Sequence, residues 1–172
     1  MGEYTSTARK GKEIATAAML FGVAFGVFYL SRIPNIRFPV LFQLLAVLLL
    51  TVAVIIITRY VMRRYTCRVE AGETGKTDFV IIEHYGKRDT VVCRVYASQV
   101  LSAVRLTNAA WKESAERRKG KKFYRYTASF SDPDRVLAEV SIGTNGNETF
   151  FLEFAADETF LELLRNAAEK TE

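Results

Sequence analysis

The chain has 172 residues, of which 49% are hydrophobic and 25% are charged, with a mean hydropathy of +0.05. This composition excludes a disordered tail and a collagen-like polymer. The net charge of +5 is unevenly divided: residues 1–64 contain eight Lys and Arg against two Asp and Glu, and residues 65–172 contain sixteen against seventeen. Because the positive excess lies in the apolar half, it does not indicate nucleic-acid binding. Two cysteines are too few for a disulfide framework and fit a reducing compartment.

Two uncharged apolar segments, 14–30 and 40–58, are each long enough to cross a membrane as a helix. At 1.5 Å per residue they cover roughly 25 to 29 Å, close to the ~30 Å thickness of the hydrocarbon layer. A connection containing Pro34 and Pro39 joins them, which predicts an antiparallel hairpin. Buried helices of a soluble protein are the alternative, but the polar half is too small to cover two helices that are apolar on all sides.

Basic residues flank the two segments unequally. Only Arg32 and Arg37 lie in the connection, whereas seven lie before the first segment or after the second: Arg9, Lys10, Lys12, Arg59, Arg63, Arg64 and Arg68. The positive-inside rule therefore predicts that both termini are cytoplasmic. A cleaved signal peptide is the alternative for residues 1–31, but no small-x-small cleavage site follows Leu30 and a second apolar segment comes at once.

Gly22 and Gly26 form a small-xxx-small pattern in the first segment, which predicts a face suited to close helix packing. The packing partner is either the second span of the same chain or a helix of another molecule. Neither predicted span contains an ionisable residue, which argues against an ion or proton path through the hairpin.

From Thr66 onwards apolar residues alternate with polar ones, as is typical of half-buried strands. Strands are predicted at 66–71, 78–85, 90–96, 123–130, 136–142 and 148–154. The segment 100–106 is ambiguous, with a helical turn followed by a strand as one interpretation. In the third strand, Val91, Cys93 and Val95 are predicted to share one face. Asn145-Gly146 predicts a hairpin turn before the last strand.

The chain is predicted to close with an amphipathic helix. Asp157 offers an N-cap, and one apolar stripe follows at helical spacing: Phe160, Leu163, Leu164 and Ala167. A helix with one apolar face covers the open end of a small bent sheet.

This order of about seven strands and a terminal helix resembles a pleckstrin-homology-like domain. The resemblance depends on residues 91–96 leading into 98–100, and on residues 150–154 followed by 157–164. The whole chain is similar to bacterial membrane proteins that place such a domain after a helical hairpin, including the YcxB-like group. We therefore predict an α+β fold: a short cytoplasmic tail and two transmembrane helices in residues 1–65, then a cytoplasmic pleckstrin-homology-like bent sheet or barrel, capped by its helix, in residues 66–172.

In some pleckstrin-homology domains, cations in the loop between the first two strands bind phosphoinositides, so the resemblance implies a lipid-binding loop at residues 72–77. That loop contains Lys76 alone, with Glu73 beside it, which departs from the family pattern. A phosphate-loop motif is excluded there because Glu70 stands where the first glycine is needed and a strand follows instead of a helix.

No catalytic, cofactor-binding or metal-binding residue is predicted. His84 is the only histidine, and the sequence places no nucleophile beside it. Cys67 and Cys93 have no recognised metal-ligand spacing and are interpreted as small buried apolar residues.

Two further polar motifs are interpreted as turns. Asp132 and Asp134 flank Pro133, and nothing in the sequence holds these two carboxylates rigidly enough for catalysis. Residues 147–149 fit a glycosylation acceptor, which is not used on the cytoplasmic side of a membrane.

The segment 108–122, here called the basic segment, is the most individual feature of the polar half. Asn108 is predicted to cap a short helix with the i,i+4 pairs Lys112/Glu116 and Glu113/Arg117, and Gly120 to end it. Trp111 then lies near five cations: Arg117, Arg118, Lys119, Lys121 and Lys122. Such a cluster either contacts anionic lipid or a partner, or is a solvated loop.

The sequence favours a membrane-anchored scaffold or protein-binding module without enzymatic activity, whose partners contact an exposed strand edge or the basic segment. The first alternative is a peripheral sensor of anionic lipid that uses Trp111 and the neighbouring cations. The second is an accessory subunit of a membrane transporter, assembled through Gly22 and Gly26.

Overall fold

The computed structural model describes residues 2–6, 10–34, 38–72, 75–129, 132–142 and 148–169. The chain divides into two compact units, one formed by residues 9–63 and the other by residues 1–8 together with 64–172. The fold is mixed: two long apolar helices near the N-terminus, two four-stranded sheets and a C-terminal helix.

The first unit consists of helices α1 (Gly11–Leu30) and α2 (Pro39–Ile56), and a π-helical turn, Ile57–Val61, continues α2. Four alanines of the two helices are at most 3% exposed: Ala17, Ala24, Ala46 and Ala53. Their small side chains let the two helix backbones approach closely. The Lys10 ammonium donates to the carbonyl oxygens of Val61 and Arg63, at 2.7 and 2.5 Å. The start of α1 thus lies beside the end of the second helix, and the helices are antiparallel.

The helix α1 begins three residues before the predicted span, so its first turn contains two charged residues, Lys12 and Glu13. Glu13 is fully buried. The prediction that the first span contains no ionisable residue therefore holds only for its apolar part, because the helix extends past the hydrophobic segment. Arg9 and Arg37, used above for orientation, lie outside the described residues.

The first sheet has the strand order β1 (Gly2–Thr5), β2 (Arg63–Ala71), β3 (Thr77–Tyr85) and β4 (Arg88–Tyr96). Residues 2–5 are predicted to belong to an N-terminal tail, but they pair antiparallel with β2. A bulge between Ile81 and Ile82 breaks the register of β3 with β4. Val91 is consequently exposed, and the prediction that it shares a face with Cys93 and Val95 is wrong.

The second sheet has the order β5 (Val100–Arg105), β7 (Arg135–Ile142), β8 (Glu148–Ala155) and β6 (Phe123–Tyr126). The ambiguous segment 100–106 is a strand from its first residue, and the helical turn, a 3-10 turn at Ala97–Gln99, precedes it. Strand β6 pairs parallel with β8 and is shorter than predicted. Phe130 and the predicted turn at Asn145-Gly146 lie outside the part of the chain that is described.

The final helix, α5 (Glu158–Glu169), closes the core of the second unit. The carboxylate of Asp157 accepts a hydrogen bond from the amide of Phe160 at 2.8 Å, which confirms the predicted cap. Phe79 of β3, Phe154 of β8 and Phe160 are all buried, with ring centroids of Phe79 and Phe154 5.1 Å apart. One aromatic cluster therefore joins both sheets and the helix.

Strand β1 is fixed to the second unit by side chains as well as by its backbone. The Ser6 hydroxyl donates to Asp132 at 2.6 Å, and the Tyr4 hydroxyl donates to Asp134 at 3.3 Å. A Cβ at Gly2 would lie 2.7 Å from the end of the Leu163 side chain of α5, so a larger residue there would displace that side chain. Asp132 and Asp134 are therefore held in place, contrary to the sequence interpretation, and they anchor β1.

Candidate functional site

The basic segment folds as two short helices, α3 (Asn108–Glu113) and α4 (Ala115–Arg118). Thr107, and not Asn108, caps the first: its hydroxyl oxygen accepts a hydrogen bond from the Ala110 amide at 3.1 Å. Gly120 follows the second helix at a φ of 74°, where glycine is favoured, so its predicted role in ending the helical segment is confirmed.

Three of the five cations of the basic segment are engaged within the second unit. Arg118 lies 3.4 Å from the ring centroid of Trp111 and donates to the Trp111 carbonyl at 2.7 Å. Arg117 and Lys121 both pair with Glu139 of β7, at 3.3 and 3.1 Å. The i,i+4 pair predicted between Glu113 and Arg117 is replaced by the contact with Glu139. Sequence reasoning missed Glu139, whose only signal is an acidic residue among apolar ones in a strand.

Lys119 and Lys122 are exposed and form no ion pair with any residue that the structure describes. Lys122 precedes Phe123 in the chain, and Phe123 meets Trp111 edge to face with ring centroids 5.7 Å apart. Trp111 and Phe123 are each 39% exposed. The basic segment therefore presents a small aromatic surface beside two cations that have no described ion-pair partner. Because Arg117 and Lys121 share one carboxylate and the described contacts of Arg118 are with neutral groups, the segment keeps a positive excess.

A groove lies between the edge strand β5 and helix α5. Its volume is about 320 Å³, and its lining includes Leu101, Val104 and Leu164. Leu101 is 59% exposed and Val104 is 45% exposed. In the second sheet β5 pairs with β7 alone, so its other edge faces away from the sheet.

Among the described residues, one side chain bonds to the backbone along this edge. The Arg165 guanidinium on α5 donates to the Ala103 carbonyl at 3.1 Å, which shows that this carbonyl is directed away from β7. Arg165 also lies 3.9 Å from Glu158, which in turn pairs with Arg105 at 3.3 Å. The groove thus combines apolar side chains, an edge backbone and a surface ion-pair network, which suits an extended peptide.

The His84 imidazole has two polar partners that the sequence does not predict. Its Nδ1 lies 2.7 Å from the Asp89 carboxylate and its Nε2 lies 2.9 Å from the Thr66 hydroxyl. These distances match those of a nucleophile, base and acid. Thr66, however, is only 2% exposed, and its hydroxyl is also 2.9 Å from that of Thr5. The geometry therefore describes a polar ladder across the four strands of the first sheet.

The loop from 72 to 77 joins β2 to β3, as predicted. The Gly72 amide donates to the Lys76 carbonyl at 2.7 Å, and Gly75 has a φ of 76°. The ammonium of Lys76 lies 5.3 Å from the Tyr96 ring centroid, so the single predicted cation of the loop contacts an aromatic ring. Residues 73 and 74 lie outside the described residues.

Both cysteines are protonated thiols with little access to solvent. Cys67 is buried and its thiol donates to the Ala155 carbonyl at 3.7 Å. Burial raises the pKa of the Cys93 thiol to about 11, and it raises the pKa of Cys67 above its usual range, with a smaller contribution from Cys93. The interpretation as buried apolar residues is confirmed for Cys67, while Cys93 is partly buried.

These thiols give the unfolding free energy a defined pH dependence. An unfolded thiol ionises near pH 8.5, whereas folded Cys93 remains protonated up to about pH 11, so the unfolded state gains stability as the pH rises between these values. We expect the free energy of unfolding to fall over this range, and to fall less in Cys93→Ala. Urea unfolding of the parent and of Cys93→Ala at pH 7.5 and pH 10 measures how far the unfolding free energy of each falls. An equal fall in the two proteins would contradict the assigned pKa of Cys93.

Gly22 and Gly26 are both exposed on α1. A Cβ at either position would meet nothing within 4 Å. The second span of the same chain therefore does not pack on them, and this alternative is wrong, because the hairpin packs through the alanines on the other side of α1.

No group of three or more His, Cys, Asp or Glu side chains placed to hold a metal ion occurs in the described ranges. No family model, curated protein or solved structure matches the chain.

Proposed function

We propose that this protein is a membrane-anchored protein-binding module, with a pleckstrin-homology-like domain on the cytoplasmic face of the bacterial inner membrane and a YcxB-like arrangement of hairpin and domain. The observation on which the binding function depends is the exposed edge of β5 beside the apolar groove under α5. An extended segment of a partner protein adds main-chain hydrogen bonds at such an edge and places alternate side chains in the groove.

The surface of the hairpin supports the membrane anchor. Large apolar side chains point outward from both helices, among them Met19, Phe25, Leu44 and Leu48, which are exposed by 60% or more. Only 17% of the most apolar 18-residue stretch of Gly11–Leu30, and 11% of that of Pro39–Val61, is buried within the chain. Water disfavours this much apolar surface, whereas a hydrocarbon layer accommodates it.

The pairing of β1 with β2 supports two spans and a single location for the domain. Strand β1 precedes the hairpin and β2 follows it, yet the two strands share one sheet. This pairing favours an arrangement in which both ends of the hairpin emerge on the same side of the membrane. The excess of basic residues at those ends favours the cytoplasmic side.

The two sheets and the C-terminal helix support the pleckstrin-homology resemblance. Three features extend it: a strand contributed from before the hairpin, the parallel pairing of β6 with β8, and the helices of the basic segment between β5 and β6. The family's lipid-binding loop is not part of the proposal, since its Lys76 packs on Tyr96.

Site-specific photocrosslinking in intact membranes tests the binding function. A benzophenone amino acid at Val104 is expected to give discrete protein adducts, and one at Val91, an exposed residue on β4, is expected to give none of the same size. Leu101→Lys should remove the Val104 adducts because it places a charge in the apolar groove, whereas Val91→Lys should leave them. Identical adducts from both positions would exclude the edge as the binding site.

The open face of α1 supports a second candidate, an accessory subunit of a membrane transporter. Gly22→Leu is expected to leave the hairpin folded, because its Cβ meets open space, and to block close approach of another helix. Co-purification in mild detergent should then lose a membrane partner, while Thr51→Leu, a substitution on exposed α2 surface, should retain it. Retention of every partner in Gly22→Leu would reject this candidate.

A further inference from the structure

A second cavity lies on the outer side of the second sheet, where α3 begins. Its volume is about 230 Å³, and its walls include Trp111, Thr107, Arg125, Arg135 and Glu153. This is smaller than the roughly 300–1,000 Å³ that drug-sized ligands occupy, so it suits a single compact chemical group.

The charges lining this cavity are unbalanced. The Glu153 carboxylate, 4% exposed, pairs with Arg125 at 3.2 Å and with Arg135 at 3.4 Å. Two guanidinium groups thus share one buried carboxylate, which leaves a local excess of one positive charge. The two arginine side chains are 33% and 29% exposed, so this excess positive charge is partly shielded from water and open to an anionic ligand.

Both arginines retain unused donors. Arg125 uses only its Nε, toward Thr127 and Glu153, and its terminal nitrogens have no partner among the described residues. Arg135 uses Nε toward the Asp132 carbonyl and one terminal nitrogen toward Glu153. These existing bonds hold the guanidinium groups in place at the cavity, and forked N–H groups of this kind bind phosphate oxygens in pairs.

We propose that this cavity binds a phosphate monoester group between Arg125 and Arg135, against the ring of Trp111. The group belongs either to a small soluble phosphate ester or to the headgroup of a phosphatidic-acid-type lipid; both present the same doubly charged, three-oxygen end. The site is separate from the groove beside β5, and neither requires the other.

Trp111 is the only tryptophan of the chain and lies in the cavity wall, so it reports binding directly. The full chain in a nonionic detergent is titrated with sodium phosphate, and with sodium chloride at equal ionic strength. Phosphate is expected to produce a saturable change in Trp111 fluorescence beyond that of chloride. Arg125→Gln and Arg135→Gln should each weaken the response by about tenfold or more.

Two further variants separate binding from folding. Arg125→Lys keeps the positive charge but loses the forked N–H donors, so its phosphate affinity should fall less than that of Arg125→Gln. The melting temperature of Arg125→Lys should equal that of the parent. Arg88→Gln, an exposed substitution on β4, should bind as the parent does. A phosphate response that persists in both glutamine variants, or that chloride reproduces, would overturn the proposal.

Proteoliposomes distinguish the two sources of the phosphate group. A fluorescence change in vesicles containing phosphatidic acid, but not in vesicles with equal charge from phosphatidylserine, assigns the site to the lipid headgroup. A change with added phosphate in phosphatidylcholine vesicles, and none with phosphatidic acid, assigns it to a soluble ester. Equal changes with both anionic lipids indicate general surface charge and would reject a phosphate-specific site.

Discussion

Deletion of residues 2–6 is expected to destabilise the second unit by about 3 kcal/mol or more, because it removes a strand, a partly buried tyrosine and two hydrogen bonds to the Asp132–Asp134 turn. The deletion also exposes the edge of β2 and uncovers Leu163 of α5, which contacts Gly2. Exposed edges promote pairing with other chains, so the variant should aggregate as well.

Urea unfolding of the full chain in detergent, followed by Trp111 fluorescence, measures this loss. Tyr4→Phe is the matched control: it retains the ring, 6.3 Å from that of Phe160, and loses only the hydroxyl bond to Asp134. It should cost about 1 kcal/mol. A deletion variant with the unfolding midpoint of the parent would show that β1 does not belong to the folded domain.

Phe79→Ala is expected to cost about 3–5 kcal/mol, the range typical for truncating a fully buried phenylalanine. Phe79 is 0% exposed and contacts Phe154 of the other sheet and Phe160 of α5. Its removal leaves a cavity at the point where both sheets and the helix meet. The same unfolding experiment should show a large decrease in the urea midpoint.

The control for this variant is Phe123→Ala, which truncates the same side chain where it is 39% exposed. Because Phe123 borders solvent, its loss should cost about 1 kcal/mol or less, including its edge contact with Trp111. Equal costs for the two substitutions would contradict the assignment of the core to the junction of the sheets and α5.

Most elements of the fold follow from hydrophobic periodicity. The strands β7 and β8 are rich in apolar residues because one side of each packs on the core, and α5 has its apolar stripe and its Asp157 cap within a few residues. Strand β1 was not predicted, for a physical reason. It has four residues, and its pairing partner begins about sixty residues later, so no local pattern specifies it.

The same limit applies to the candidate sites. The sequence marks the cations of the basic segment but not the partner of two of them, because Glu139, which pairs with Arg117 and Lys121, lies on a strand about twenty residues away. Likewise, the partners of His84 come from β2 and β4. Pair interactions between distant segments depend on register, and an apolar alternation specifies the face of a residue but not its neighbours.

Cysteine accessibility in intact spheroplasts tests the central claim most directly, namely that the hairpin crosses the membrane and leaves the folded domain inside. Ile33→Cys places a thiol between the two helices, and Lys119→Cys places one on the exposed basic segment. Native Cys67 and Cys93 give little background, because burial raises the pKa of both thiols. A membrane-impermeant maleimide should label Ile33→Cys at once and Lys119→Cys only after the membrane is permeabilised. Labelling of Lys119→Cys in sealed spheroplasts would contradict the account.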